Sequence, residues 1–167
     1  MKNSDQLFLA YHEAGHVIVA LLNNCYVESC FIDHGCGLAT YYQFNNQKSS
    51  RNKECQVSFA GYLAELYLHQ SLYETPFPAE LKAGSSIDLA KIYYLVKKYN
   101  LNKKNIKINT SKKIAIYWND IYLIANKLLA QPVLSSDDIE DVLKRSKNKV
   151  FWKKRFKLIN KKYNKAS

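Results

Sequence analysis

The chain has 167 residues, enough to bury a core as one domain, and its 47% hydrophobic content excludes an intrinsically disordered protein. Its net charge of +11 is uneven: from Lys144 onward there are eleven Lys or Arg and no acid, while the other fourteen basic residues balance all fourteen acids. No run approaches the ~18 apolar residues of a membrane span, and the longest, Val17 to Leu22, follows charged and histidine residues, so a soluble, cytoplasmic protein is expected.

The first element is a helix with Ser4 or Asp5 as its cap, running to about Leu22 and ended by Asn23-Asn24. Leu7, Tyr11, Ala14, Ile18, Leu21 and Leu22 form one stripe at helical spacing, and Leu9 and Ala20 lie near the opposite face, so the helix should be buried nearly all round. Next comes a β-hairpin: Tyr26 to Ile32, a turn over Asp33-His34-Gly35-Cys36-Gly37, then Leu38 to Phe44. Cys25, Cys30, Cys36 and Cys55 form no C-x-x-C pair and are expected as free thiols. Cys30, His34 and Cys36 are close in sequence, but their spacing matches no standard zinc pattern.

Asn45 to Asn52 reads as a polar loop and Lys53 to Leu72 as a second helix, carrying Glu65 and His69 four residues apart. Thr75 to Gly84, with Pro76 and Pro78, should be irregular. Ser85 or Ser86 caps a third helix from about Ile87 to Tyr99, with Asp88 in its first turn. Asn100 to Asn109 reads as a basic, Asn-rich connection, followed by one long helix capped by Thr110 or Ser111 and stopped by Pro132 after Ala130. Ser135-Ser136-Asp137-Asp138 caps the next helix. In the tail, Trp152, Phe156, Ile159 and Tyr163 fall at helical spacing among lysines. Such a basic amphipathic helix binds nucleic acid or an anionic membrane, or more simply docks its stripe on the body with its lysines in water.

The chemistry is concentrated in Tyr11-His12-Glu13-Ala14-Gly15-His16, a His-Glu-x-x-His pattern. Residues four apart share a helix face, so His12 and His16 can present two imidazoles to one zinc ion, with Glu13 beside them as general base. A catalytic zinc takes three protein ligands and leaves one position open. The candidates for the third are Glu65, His69 and Asp88. Val19 and Leu22 stand where a metzincin extension would have its glycine and third histidine.

These segments, together with Phe59-Ala60-Gly61-Tyr62-Leu63-Ala64-Glu65 and Gly84-Ser85-Ser86-Ile87-Asp88-Leu89-Ala90, resemble the catalytic domain of FtsH-type ATP-dependent zinc metalloproteases. Weaker likeness runs through Ala125 to Leu129 and Leu134 to Leu143, so that about residues 7 to 145 are covered in order. The resemblance implies a mainly α, zincin-like (FtsH-peptidase-like) domain over residues 1–145 with a small β-hairpin, followed by a basic C-terminal extension over residues 146–167. It implies a zinc metallopeptidase in which His12, His16 and Asp88 hold Zn2+ and Glu13 is catalytic. It gives Glu65 the role of orienting a ligand histidine from behind, and makes Leu38, Ala39, Thr40 and Tyr41 an edge for an extended peptide substrate. Gly15 would let another backbone approach the metal helix closely.

Position 87 is Ile where the family usually has Asn, and neither the ATPase module nor the membrane anchor is represented. The expected substrates are therefore flexible or unfolded peptides, cut without ATP or beside a separate partner protein. The alternatives are a non-catalytic zinc-binding regulatory or interaction domain of the same fold, and a nucleic-acid or membrane-surface binder acting through the tail.

Overall fold

Helix α1 (Lys2–Leu22) is the axis around which a computed structural model arranges the chain; residues 2–43, 48–76 and 86–166 are described. Every residue from Ala10 to Leu21 is buried, as its two-sided apolar pattern requires. The helix starts earlier than expected, so Asp5 lies in its first turn instead of capping it. It ends at Asn23-Asn24, where Asn24 takes the left-handed conformation (φ 62) that a helix C-terminus favours and Asn tolerates.

Strands β1 (Tyr26–Asp33) and β2 (Cys36–Tyr42) follow as an antiparallel hairpin. Their turn is tighter than the five residues expected: only His34 (φ 37) and Gly35 (φ 90) connect the strands. Positive φ at both central residues is the geometry that matches strand twist in a two-residue hairpin. The register shifts between Val27 and Ser29, a bulge that re-aims the strand. A third strand, β3 (Val133–Ser135), pairs antiparallel with β1, giving the order β2-β1-β3. Three residues carry no readable period, so β3 was not expected from the sequence.

Helix α2 (Lys48–Leu72) starts five residues before the expected Lys53, replacing most of the supposed polar loop. Burial of Ser50 and an i,i+3 pair from Arg51 Nη1 to Glu54 Oε2 (2.9 Å) support that extra turn. It packs closely on α1 at Gly15, where a Cβ would come 2.7 Å from the Ala60 carbonyl oxygen. Of the expected irregular stretch, residues 75–76 form no regular structure and residues 77–84 lie outside the described residues, as do Ser85 and Phe44. Helix α3 (Ser86–Tyr99) has Asp88 in its first turn.

The expected connection after Tyr99 is wrong. Helix α4 (Lys103–Ile116) occupies it, capped by Asn102, whose Oδ1 accepts from the Asn105 amide at 3.0 Å. Ile106, Thr110 and Ile114 are buried at i, i+4, i+8, so packing overrides the weak helix preference of a Lys/Asn-rich segment. Thr110, expected as a cap, sits mid-helix and donates to the Ile106 carbonyl at 2.8 Å. The chain breaks at Tyr117 (φ −102, ψ 21), and α5 (Trp118–Ala130) begins without a Gly or Pro to announce it.

Helix α6 (Ser136–Lys144) carries the expected capping box: Ser135 Oγ accepts from the Asp138 amide, and Asp138 Oδ2 accepts from the Ser135 amide. The tail forms α7 (Lys149–Ala166), with Trp152, Phe156 and Ile159 buried and the flanking lysines largely in water. Burying Phe156 and Ile159 contributes about 1.5–3 kcal/mol each. Asn148, just before α7, donates to the fully buried Asp120 at 2.6 Å. The result is a mainly helical protein with a small antiparallel sheet, and no described helix is long and apolar enough to cross a membrane.

Candidate metal centre

Three elements build the site. His12 and His16 project from one face of α1, one turn apart, and the first turn of α3 brings Asp88 to them. His12 Nε2 and His16 Nε2 are 3.0 Å apart, and Asp88 Oδ2 lies 3.1 and 3.0 Å from them respectively. Among the described residues this is the one His/Cys/Asp/Glu group able to hold a metal ion. Cys30 is buried while His34 and Cys36 are exposed at the hairpin tip, so they form no second centre.

The other ring nitrogens explain how this triangle could hold a cation. His12 Nδ1 donates to Glu65 Oε1 at 2.7 Å, and His16 Nδ1 donates to the Val57 carbonyl at 2.7 Å. A neutral imidazole with its proton on Nδ1 has only a lone pair on Nε2. Two such lone pairs and a carboxylate oxygen then face one another at hydrogen-bond distance, three acceptors with no donor between them. A metal ion satisfies all three at once. In its absence a proton must stand in: burial favours the neutral ring of His12, but hydrogen bonds to Asp88 and Glu65 overcome it and lift its pKa to about 10. Asp88 answers in the opposite sense. Burial raises it, yet the two imidazoles hold it well below the usual carboxylate range.

Glu13 stands beside the triangle, 4% exposed, and its Oε2 has no hydrogen-bond partner among the described residues. Burial raises its pKa, with His16 and His12 acting against that rise. Two glycines let the backbone come flush with these groups. A Cβ on Gly61 of α2 would sit 2.4 Å from His12 Nε2, and one on Gly37 of β2 would sit 2.5 Å from Glu13 Oε1. Any side chain at either position would occupy the site.

The site opens into a cleft of about 680 Å³. Leu38, Ala39 and Tyr41 of β2 line one wall and Ile87 lies on the rim beside Asp88; Thr40, grouped with them from sequence, does not line it. Strand β2 is at the open edge of the sheet. Burial lifts the Tyr41 hydroxyl well above the usual phenol range, with smaller contributions from nearby acidic groups, so it stays a neutral donor. His69, weighed as a ligand, is buried against the rings of Phe8 and Tyr73, and Glu65 is behind His12 instead of at the triangle.

Sequence reasoning missed Gly37, Gly61 and the Val57 carbonyl. Gly61 stood within the Ala-Gly stretch that carries the family resemblance, but its contact with His12 depends on how α1 and α2 pack. A backbone carbonyl leaves no mark in sequence at all. No family model matches this chain and no curated protein does.

Proposed function

We propose that this chain is a zinc-dependent metallopeptidase of zincin-like fold, similar to the FtsH-type catalytic domain, hydrolysing peptide bonds of flexible or unfolded substrates without ATP. The observation that carries the reading is the convergence of His12 Nε2, His16 Nε2 and Asp88 Oδ2 with edges of 3.0–3.1 Å. A tetrahedral zinc with bonds of 2.0–2.1 Å wants ligand–ligand edges of about 3.3 Å, so the three donors would need to separate by only about 0.2–0.3 Å to fit the ion. Two imidazoles and one carboxylate also match zinc's usual nitrogen and oxygen ligands. Bound there, held by His12, His16 and Asp88, zinc would supply Lewis acidity and a water of pKa near 7.

The protein's own groups account for the rest. The free Oε2 of Glu13 takes a proton from the attacking water as its oxygen bonds to the scissile carbonyl carbon. As the carbon–nitrogen bond breaks, Glu13 returns that proton to the leaving amine, so charge and protons balance. Glu65 and the Val57 carbonyl fix the tautomer and orientation of the two imidazoles. The open edge of β2 offers backbone groups to an extended peptide, and only a segment without its own structure can add there. Leu38 (53% exposed) and Ile87 (83% exposed) leave aliphatic surface on the cleft walls, which favours an apolar side chain near the cut bond.

The test pairs wild type with Glu13→Gln on a quenched fluorogenic peptide library and on unfolded casein, with metal content measured in both. The expected result is zinc near one equivalent in each, and a loss of roughly 10²–10⁴-fold in kcat for the variant. Equal activity in the two would remove Glu13 from the mechanism. Zinc without any cleavage by wild type would favour a binding domain.

A further inference from the structure

The C-terminal end of α1 gathers cations from three other helices. Lys113 of α4 donates from Nζ to Asn23 Oδ1 at 2.6 Å and to Gln56 Oε1 at 2.7 Å. Arg155 of α7 donates to Asn24 Oδ1. Lys53 of α2 joins the same end through its backbone, where its carbonyl accepts from Asn23 Nδ2 at 3.2 Å. All three side chains are half-buried. Lys113 and Arg155 thus converge on adjacent residues, Asn23 and Asn24, and in the same sense burial, then Lys53, then Arg155 push the Lys113 pKa down to about 8.

Every oxygen contacting these cationic groups belongs to a neutral amide. No carboxylate forms an ion pair with Lys53, Lys113 or Arg155 among the described residues, and none contributes to the lowered pKa of Lys113 or of Arg155. Capping the α1 terminus is the simplest structural purpose for a cation here. The magnitudes leave a surplus, however, because a helix C-terminus presents only about half a negative charge against three positive ones. A phosphate group brings about −1.5 to −2 at pH 7, with oxygens suited to an Arg fork and to lysine ammonium groups.

We propose that Lys53, Lys113 and Arg155, arranged about Asn23-Asn24, bind a phosphate-class oxyanion, either inorganic phosphate or the monoester of a small metabolite. The site is distinct from the metal centre, since Asn23 lies seven residues beyond His16, about 10 Å along α1. Its occupant would add a link from α7 to α2 and α4 beside the amide contacts of Asn23, Asn24 and Gln56. Ligand binding would thus stabilise the docked tail.

The full chain is titrated by calorimetry with inorganic phosphate and with glycerol 3-phosphate, and its Tm is measured in each against sodium chloride of equal ionic strength. Saturable binding and a Tm increase of several degrees with either phosphate compound are expected. Lys113→Met and Arg155→Met should each weaken binding tenfold or more. Lys53→Met, whose side chain makes no hydrogen bond or ion pair among the described residues, should do so with the structure intact by circular dichroism. A Tm response no larger than that to chloride would overturn the proposal. So would affinity unchanged in folded Lys53→Met, a phosphate response abolished by chelator, which would belong to the metal centre, or binding seen only with DNA or anionic vesicles.

Discussion

Two regions of α1 concentrate charge in opposite ways. Midway along it, Glu13, Glu65 and Asp88 surround two imidazoles; at its C-terminal end, Lys53, Lys113 and Arg155 gather around amide oxygens. The first region is closed by glycines and hydrogen-bonded on every side except toward the cleft. The second is half-open, and Lys113 and Arg155 there are satisfied as donors but not neutralised. Satisfying hydrogen bonds and balancing charge are therefore separate tasks in this protein. Where the second is left undone, the missing charge indicates the sign of a ligand.

The contrast breaks most sharply on chelation. Removing a metal held at a thousandfold excess over its Kd costs about 4 kcal/mol, and His16→Ala should approach the same loss. For a chain of this length that is a fall in Tm of roughly 8–16 °C, read by differential scanning calorimetry with and without EDTA. An unchanged Tm, with no metal in the purified protein, would erase the difference between the two regions.

Gly61→Ala gives a smaller, sharper test. In an exposed helix interior this change stabilises by about 1 kcal/mol. Here the new methyl would stand 2.4 Å from His12 Nε2, so a destabilisation of about 1–3 kcal/mol with weakened metal binding is expected. Urea denaturation and metal titration read both effects, and a stabilised variant with normal affinity would show that the close approach is unimportant.

The smallest effect is a pH dependence at the other end of α1. Lys113 is lowered from 10.5 to about 8 in the folded protein. Between those values the unfolded chain binds more protons, so this group makes stability rise with pH, whereas below about 8 it is charged in both states and the full cost of burial remains. Lys113→Met should lack that rise. In phosphate-free buffer, the stability of wild type relative to the variant should increase from pH 7.5 to 10.5; a difference that stays flat would place the lysine in contact with water.

Much of the candidate metal centre was legible because its logic is local. His12, Glu13 and His16 lie within five residues of one helix, so spacing alone put the imidazoles on one face. Asp88 was one of three candidates from the residues themselves and was singled out only through the family resemblance. Its arrival beside His12 and His16 depends on how α3 lies against α2. The fold was legible where caps and turns carry side-chain chemistry, as at Asn23-Asn24 and Ser135 to Asp138. It failed at α4, where Ile106, Thr110 and Ile114 are too sparse to outweigh the lysines and asparagines between them until α2 buries them. The charge count of the body holds, fourteen basic against fourteen acidic residues, but a count along the chain cannot show that Lys53 and Lys113 come near Arg155.

The hydrogen bond between Asn148 and the fully buried Asp120 has a bearing on how this molecule could be shortened. A stop codon placed ahead of residue 148 would seal a polar acid inside α5 with its one recorded side-chain donor gone, besides uncovering the hollow filled by Trp152. The lysine-rich end is thus built into the protein as a keystone is into an arch, and trimming it to lower the isoelectric point would forfeit the fold it was meant to tidy.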